Sequence, residues 1–293
     1  MRPRGIRLIW APLAVALLIA VALVLTLTLG NPLGRATGLE LFTERASAGR
    51  VIVESPRADE RLAETARWAE GYLAAIAARF GHQPPGVTIR LLTNQAAYRD
   101  FGRKYLPGFS PRMDFCYDRN TGVVYGFFCP PEALQAKLRH ELFHRLSHQS
   151  MPGLPLWLDE GIAELTEGMS ADQAGALSVE RIDHKRLRAA VKILGGDTEL
   201  AALARCTPDE FYGDRGDRWY TLAYCVALHL EARGELASSL ATGSAQVEPR
   251  ALAAFVADPP DRVAAGAPAL VSAMPATAVA AGMVVLPTVR ANR

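Results

Sequence analysis

The sequence predicts an α+β fold in which a small N-terminal sheet with an edge hairpin is followed by a helical half, the whole preceded by one transmembrane helix. Three observations carry this expectation. Two apolar, β-branched runs, RVIVES and VTIRLLT, stand between amphipathic stretches in the first half of the chain. MDFCYDRNTGVVYGFFCP closes that half as two apolar runs around a turn at Asn120, Thr121 and Gly122. Beyond it only helical periodicities remain, and strands first with helices last read as an α+β domain.

The first seven residues, MRPRGIR, carry three arginines, and Leu8 to Gly30 then runs without a charge. At ~1.5 Å per helical residue this run crosses a hydrocarbon layer of ~30 Å. We therefore expect a cytoplasmic terminus over 1–7, a signal anchor over 8–30, a linker over 31–48, the folded domain over 49–240 and an Ala-rich, loosely ordered tail over 241–293. The alternative is a cleaved signal peptide, with Ala46-Ser47-Ala48 as its small-x-small site. Arginines ahead of the span orient it with its N-terminus inside, so the domain is expected outside the cytoplasm, held to a bacterial inner membrane by this helix.

Within 49–240, RVIVES is a strand, and PRADERLAETARWAEGYLAAIAARFG is a long amphipathic helix that ends at Gly81. VTIRLLT is the next strand, NQAAYRDFGRKY a short helix, and the hairpin follows. Helices are expected over 131–149, 155–168, 178–194 and 199–205, and from 219 onward. The 32 basic and 30 acidic residues nearly cancel, which excludes the electrostatic footprint of a nucleic-acid binder.

An even count of four cysteines outside the cytoplasm predicts disulfides, Cys116 with Cys129 across the hairpin and Cys206 with Cys225. Four buried free thiols are the alternative. No C-x-x-C spacing occurs to suggest a zinc–cysteine site.

The chemistry concentrates in LRHELFHRLSHQSMPGLPLWLDEGIAELTEG. His140 and His144 lie one turn apart on a helix, ~6 Å along the axis, so both imidazoles can reach one ion. Glu141 is rotated ~100° from His140, near such an ion but off the ligand direction, where a general base belongs. Met151 to Pro155 breaks the helix, and a second helix can fold back with Glu160 and Glu164 four residues apart. One carboxylate would be the third ligand and the other an acceptor for an imidazole N–H. His148 extends the stripe and is expected to be structural or to support a ligand. Asp159, His184 and His229 have no spacing that recommends them, so core or surface positions are expected.

HELFH followed by WLDEGIAE resembles the gluzincin metallopeptidases, above all the compact bacterial proteins called peptidase MA-like. The resemblance implies a zincin-like, thermolysin-like domain with Zn2+ on His140, His144 and Glu160, and Glu164 orienting the first histidine. It implies Tyr220, or Tyr224 one turn on, as the donor to an oxyanion, and GVVYGFF as an edge strand that pairs with an extended peptide or protein substrate; a core strand is the alternative. Fifteen residues separate His144 from Glu160, against eighteen in the aminopeptidase branch, and no G-x-M-E-N run is present to anchor a free amino terminus. The expected activity is therefore endopeptidase hydrolysis, with Glu141 taking the proton of a zinc-activated water. A zinc-binding module without activity and a metal-free structural protein are the alternatives.

Overall fold

The computed structural model describes residues 41–172, 175–194, 198–260, 263 and 284–286. The candidate membrane span over 8–30 lies outside them, and among the described residues no helix is long and apolar enough to cross a membrane. The fold is α+β. Its main sheet takes β1 (Glu44–Ala48), β2 (Val51–Ser55), β3 (Val87–Leu92), β4 (Cys116–Asp118) and β5 (Val123–Phe127) in the order β1-β2-β3-β5-β4. The three central strands β2, β3 and β5 run parallel, while β1 and β4 are antiparallel edges.

Alternation along the strands gives the sheet two apolar faces. Val51, Val53, Ile89, Leu91 and Val124 join the large core with helices α1 (Arg61–Arg79) and α3 (Pro131–Ser150). On the other face, Leu92, Val123 and Tyr125 pack with Tyr98 and Phe101 of α2 (Gln95–Tyr105). Arg90 lies on this second face and ties three strands together, reaching Glu54 at 2.9 Å and the Tyr125 hydroxyl at 3.0 Å.

Two expectations change here. Residues 44–48 are a strand rather than linker, and Ala46-Ser47-Ala48 pairs with Val53, Ile52 and Val51. GVVYGFF is not the edge strand: β5 lies between β3 and β4, and the short β4 forms the border. Glycine at 126 makes room for the Phe115 ring, which a Cβ there would meet at 2.1 Å and have to displace.

The helical half begins with α3 and α4 (Leu156–Thr166). It continues through a small hairpin, β6 (Met169–Ala171) and β7 (Leu177–Val179), that occupies the start of the helix expected from 178. That helix, α5 (His184–Ile193), starts later because Asp183 caps it, accepting from the backbone N–H groups of Lys185 and Arg186. α6 (Thr198–Arg205), α7 (Pro208–Phe211) and α8 (Gly216–Ala232) follow. The packed region does not stop at 240. α9 (Leu236–Thr242), β8 (Ala245–Val247) and α10 (Pro249–Ala257) bury Leu240, Ala245, Val247, Leu252 and Val256, and β9 (Val284–Leu286) pairs with β8. These apolar side chains recur at helical and strand spacing inside an otherwise Ala-rich run.

Cys116, Cys129, Cys206 and Cys225 are free thiols, against the expected bridges. The hairpin register sets Tyr125 opposite Cys116, and β5 ends before Cys129 is reached.

Candidate metal centre

Pro131 at the first turn of α3 starts the helix that carries His140, Glu141 and His144. The helix ends at Ser150, where Gly153 with φ of 90° lets the chain reverse, and α4 begins directly after Pro155. Trp157, Leu158, Ile162 and Leu165 are buried, which holds α4 back against α3 and turns Glu160 toward the histidines.

Three donor atoms converge. The Nε2 atoms of His140 and His144 are 3.1 Å apart, and Oε2 of Glu160 lies 3.7 Å from the first and 3.5 Å from the second. A triangle with these edges encloses a point about 2.0 Å from all three atoms, the length of a zinc–nitrogen or zinc–oxygen bond. Oε2 of Glu160 is buried with no hydrogen-bond partner, which a carboxylate oxygen in a protein interior seldom lacks unless a cation fills the gap. The three side chains can therefore hold a metal ion.

Each histidine has a carboxylate behind it, though not the one expected. His144 Nδ1 lies 3.1 Å from Oδ2 of Asp159, which also accepts from Arg119 at 3.1 Å, while its Oδ1 accepts from Ser147 Oγ at 2.5 Å. His140 Nδ1 lies 3.3 Å from Oε1 of Glu167. Glu164 stands within 4.8 Å of His140 and Glu167, but Arg186 engages its carboxylate in an ion pair. The antiparallel packing of α3 and α4 explains the exchange. Going up α4 means going down α3, so Asp159 meets His144 and Glu167 meets His140, while Glu164 points aside toward α5.

The electrostatics follow the same contacts. Burial disfavours charge on His140, yet Glu160 and Glu167 outweigh it and push its pKa up to about 10. Burial likewise opposes charge on His144, and Asp159 and Glu160 raise it well above the usual imidazole value. Glu160 is held well below the ordinary carboxylate range by the two histidines despite its burial, and Glu167 is held down to about 2 by His140. Glu141 goes the other way, because burial raises it more than the histidines lower it.

The centre opens into a cleft with about 500 Å³ of empty space, lined in part by Glu141, Tyr212, Tyr220 and Cys116 and Tyr117 of β4. Tyr220 reaches this cleft, and burial followed by the Glu160, Glu164 and Glu141 carboxylates keeps its phenol protonated. Tyr224 does not, since its hydroxyl accepts the Asp183 backbone N–H at 2.9 Å under α5. Tyr212 was not singled out by the sequence, yet its hydroxyl donates to Oε1 of Glu160 at 2.6 Å. An aromatic residue just after α7 carries no spacing relation to the helices of the motif, so no sequence signal could have found it. His148 stacks edge-on with Tyr117, and its Nδ1 lies 3.2 Å from that hydroxyl. His184 opens α5, and His229 is buried against Phe255.

Compared with known proteins, the chain matches no protein-family model and no curated protein.

Proposed function

We propose that the protein is a zinc metallopeptidase of zincin-like architecture, anchored to a membrane through residues 8–30 with its domain outside the cytoplasm. The observation that carries this reading is the donor triangle of His140, His144 and Glu160, with a buried, unpartnered oxygen at one corner. A two-histidine, one-glutamate set with an open cleft beside it suits catalytic zinc. When bound, zinc acts as a Lewis acid toward a water and toward the scissile carbonyl.

The remaining roles belong to the chain. Asp159 accepts from Nδ1 of His144, and the Glu167 carboxylate stands 3.3 Å from Nδ1 of His140, so that both rings turn their Nε2 atoms toward one point. Tyr212 occupies Oε1 of Glu160, leaving Oε2 as the ligand atom. Glu141, whose carboxyl is raised by burial, takes a proton from water and passes it to the leaving amine. Tyr220 donates to the developing oxyanion. The outer edge of β4, whose Cys116 and Tyr117 line the cleft, offers an extended peptide a strand to pair with.

The deciding experiment measures metal content of the full chain by mass spectrometry, wild type beside His144→Ala and Glu160→Ala, followed by a peptide-library digest with Glu141→Gln as control. About one zinc per wild-type chain is expected. Both ligand variants lose it, and Glu141→Gln keeps zinc but stops hydrolysis. A folded wild type that takes up no zinc when offered it overturns the reading.

A further inference from the structure

Arg119 is the one lysine or arginine among the described residues that line the cleft. It sits in a hairpin turn held rigid by Asp118, whose side chain accepts from the Asn120 backbone N–H at 2.9 Å and from Thr121 Oγ1 at 2.6 Å. Gly122, with φ of 71°, closes that turn by donating its N–H to the Asp118 carbonyl at 2.8 Å. The guanidinium meets Oδ2 of Asp159 through one nitrogen, Nη2, at 3.1 Å. Its side chain remains 55% exposed although Asp159 is 7% exposed.

A guanidinium has five N–H donors in a planar fork, and a single contact through Nη2 leaves most of that fork open. The other charged groups lining the cleft are the metal-site histidines and carboxylates. Glu141 repels a carboxylate entering the cleft, and away from the metal centre Arg119 is the one lining side chain whose charge attracts it. The fork matches a carboxylate in two parallel hydrogen bonds, a geometry no other cleft residue offers.

We propose that Arg119 is a specificity residue that captures a carboxylate of the bound substrate, so that the cleft prefers peptides with an acidic side chain or a free C-terminus over neutral ones. The proposal rests on the cleft being a peptide site. Because the Asp159 contact fixes the guanidinium beside the His144 support, the captured carboxylate also sets the register of the peptide relative to the metal centre.

The test uses the full chain in detergent, carrying Glu141→Gln so that nothing is cleaved, and loaded with zinc. Three fluorescent peptides share one neutral sequence: the first is C-terminally amidated, the second has a free C-terminal carboxylate, and the third is amidated with one internal glutamate. Fluorescence anisotropy gives each dissociation constant. At least one carboxylate peptide is expected to bind about three- to tenfold tighter than the neutral one at low salt, with the advantage shrinking as salt is added. Which of the two binds tighter identifies the source of the carboxylate. In Arg119→Ala the ratio falls to about one, and Arg119→Lys keeps part of it. Zinc content measured alongside separates this ratio from any loosening of Asp159.

Equal binding of the three peptides, no binding of any, or a preference that survives Arg119→Ala overturns the proposal. Equal affinities together with Glu141-dependent hydrolysis in the parent protein leave the peptidase reading standing and remove only this one. An Arg119-dependent preference without hydrolysis does the reverse.

Discussion

Asp159 and Glu160 are neighbours in sequence and perform different tasks, one supporting His144 and the other completing the donor triangle. The difference predicts contrasting variants. Asp159→Asn should weaken zinc about ten- to a hundredfold, whereas Glu164→Gln, which faces Arg186, should leave affinity within a factor of ~2, both read by competition against a chromogenic chelator. The ligand spacing on α3 was legible because i and i+4 share a helix face whatever the fold. The supports were not, since Asp159 and Glu167 acquire their roles only from the antiparallel fit of two helices. The same charges predict a pH dependence. His140 and His144 bind protons more tightly folded than free, so their contribution to the metal-free protein is whole below pH 6.5 and fades as pH rises toward about 10 for His140. Glu160 and Glu167 are depressed, so theirs is whole above pH 4.5 and fades as pH falls toward their folded values, about 2 for Glu167. Glu141, raised by burial, opposes them above pH 4.5. Zinc requires both Nε2 atoms unprotonated, so it competes with the protons that stabilise the metal-free cluster. Melting temperature with and without zinc should therefore diverge as pH rises from about 6.5 toward 10, with the zinc increment growing over that range. An increment that shrinks instead would contradict the charge assignment.

At the scale of elements, the site depends on how closely α4 approaches α8. A Cβ at Gly161 would stand 2.4 Å from the Ala223 carbonyl oxygen, a backbone atom that cannot swing aside. Glycine is thus required beside Glu160 for the helices to touch, which supplies a physical reason for the Glu-Gly pair of the motif. Gly161→Ala should cost about 1–3 kcal/mol in denaturant unfolding through overpacking. By tilting Glu160 away from the histidines it should also weaken zinc, a coupling that a remote destabilising substitution lacks. Helices α1 to α4 and the central strands were legible because their apolar periods are long and end in clear signals, such as Asn94 capping α2 through its side chain. The short strands were not. β1 buries little of its own surface, and its pairing with β2 supplies what its sequence does not announce. The hairpin β6–β7 likewise depends on its turn, where Gly175 takes φ of 82° and its N–H reaches the Asp172 carbonyl at 3.0 Å. The rank of β5 and β4 in the sheet is a matter of topology that no local pattern encodes.

For the whole molecule, the sheet and the helical half share one apolar core that runs from Val51 to Val263. The boundaries 49–240, drawn from composition, cut through this unit at both ends. A start at 49 removes β1 and exposes the backbone edge of β2, a strand whose Val51 and Val53 are fully buried. A stop at 240 removes α10, whose Leu252 and Val256 are buried between α5 and α8. Those two side chains alone are worth about 3–6 kcal/mol of burial, a large share of the ~5–15 kcal/mol that holds a typical domain together. A fragment over 41–293 should therefore unfold in one cooperative transition at a clearly higher denaturant midpoint than a fragment over 49–240. The shorter one should also bind an apolar dye, because the faces of α5 and α8 that α10 covers are left in water. Since α8 is also the helix against which Gly161 seats α4, loss of α10 should reach the metal centre and lower zinc affinity without touching a ligand. Equal midpoints for the two fragments would mean that the C-terminal helix decorates the domain, and the path from α10 through α8 to Glu160 would carry no energy.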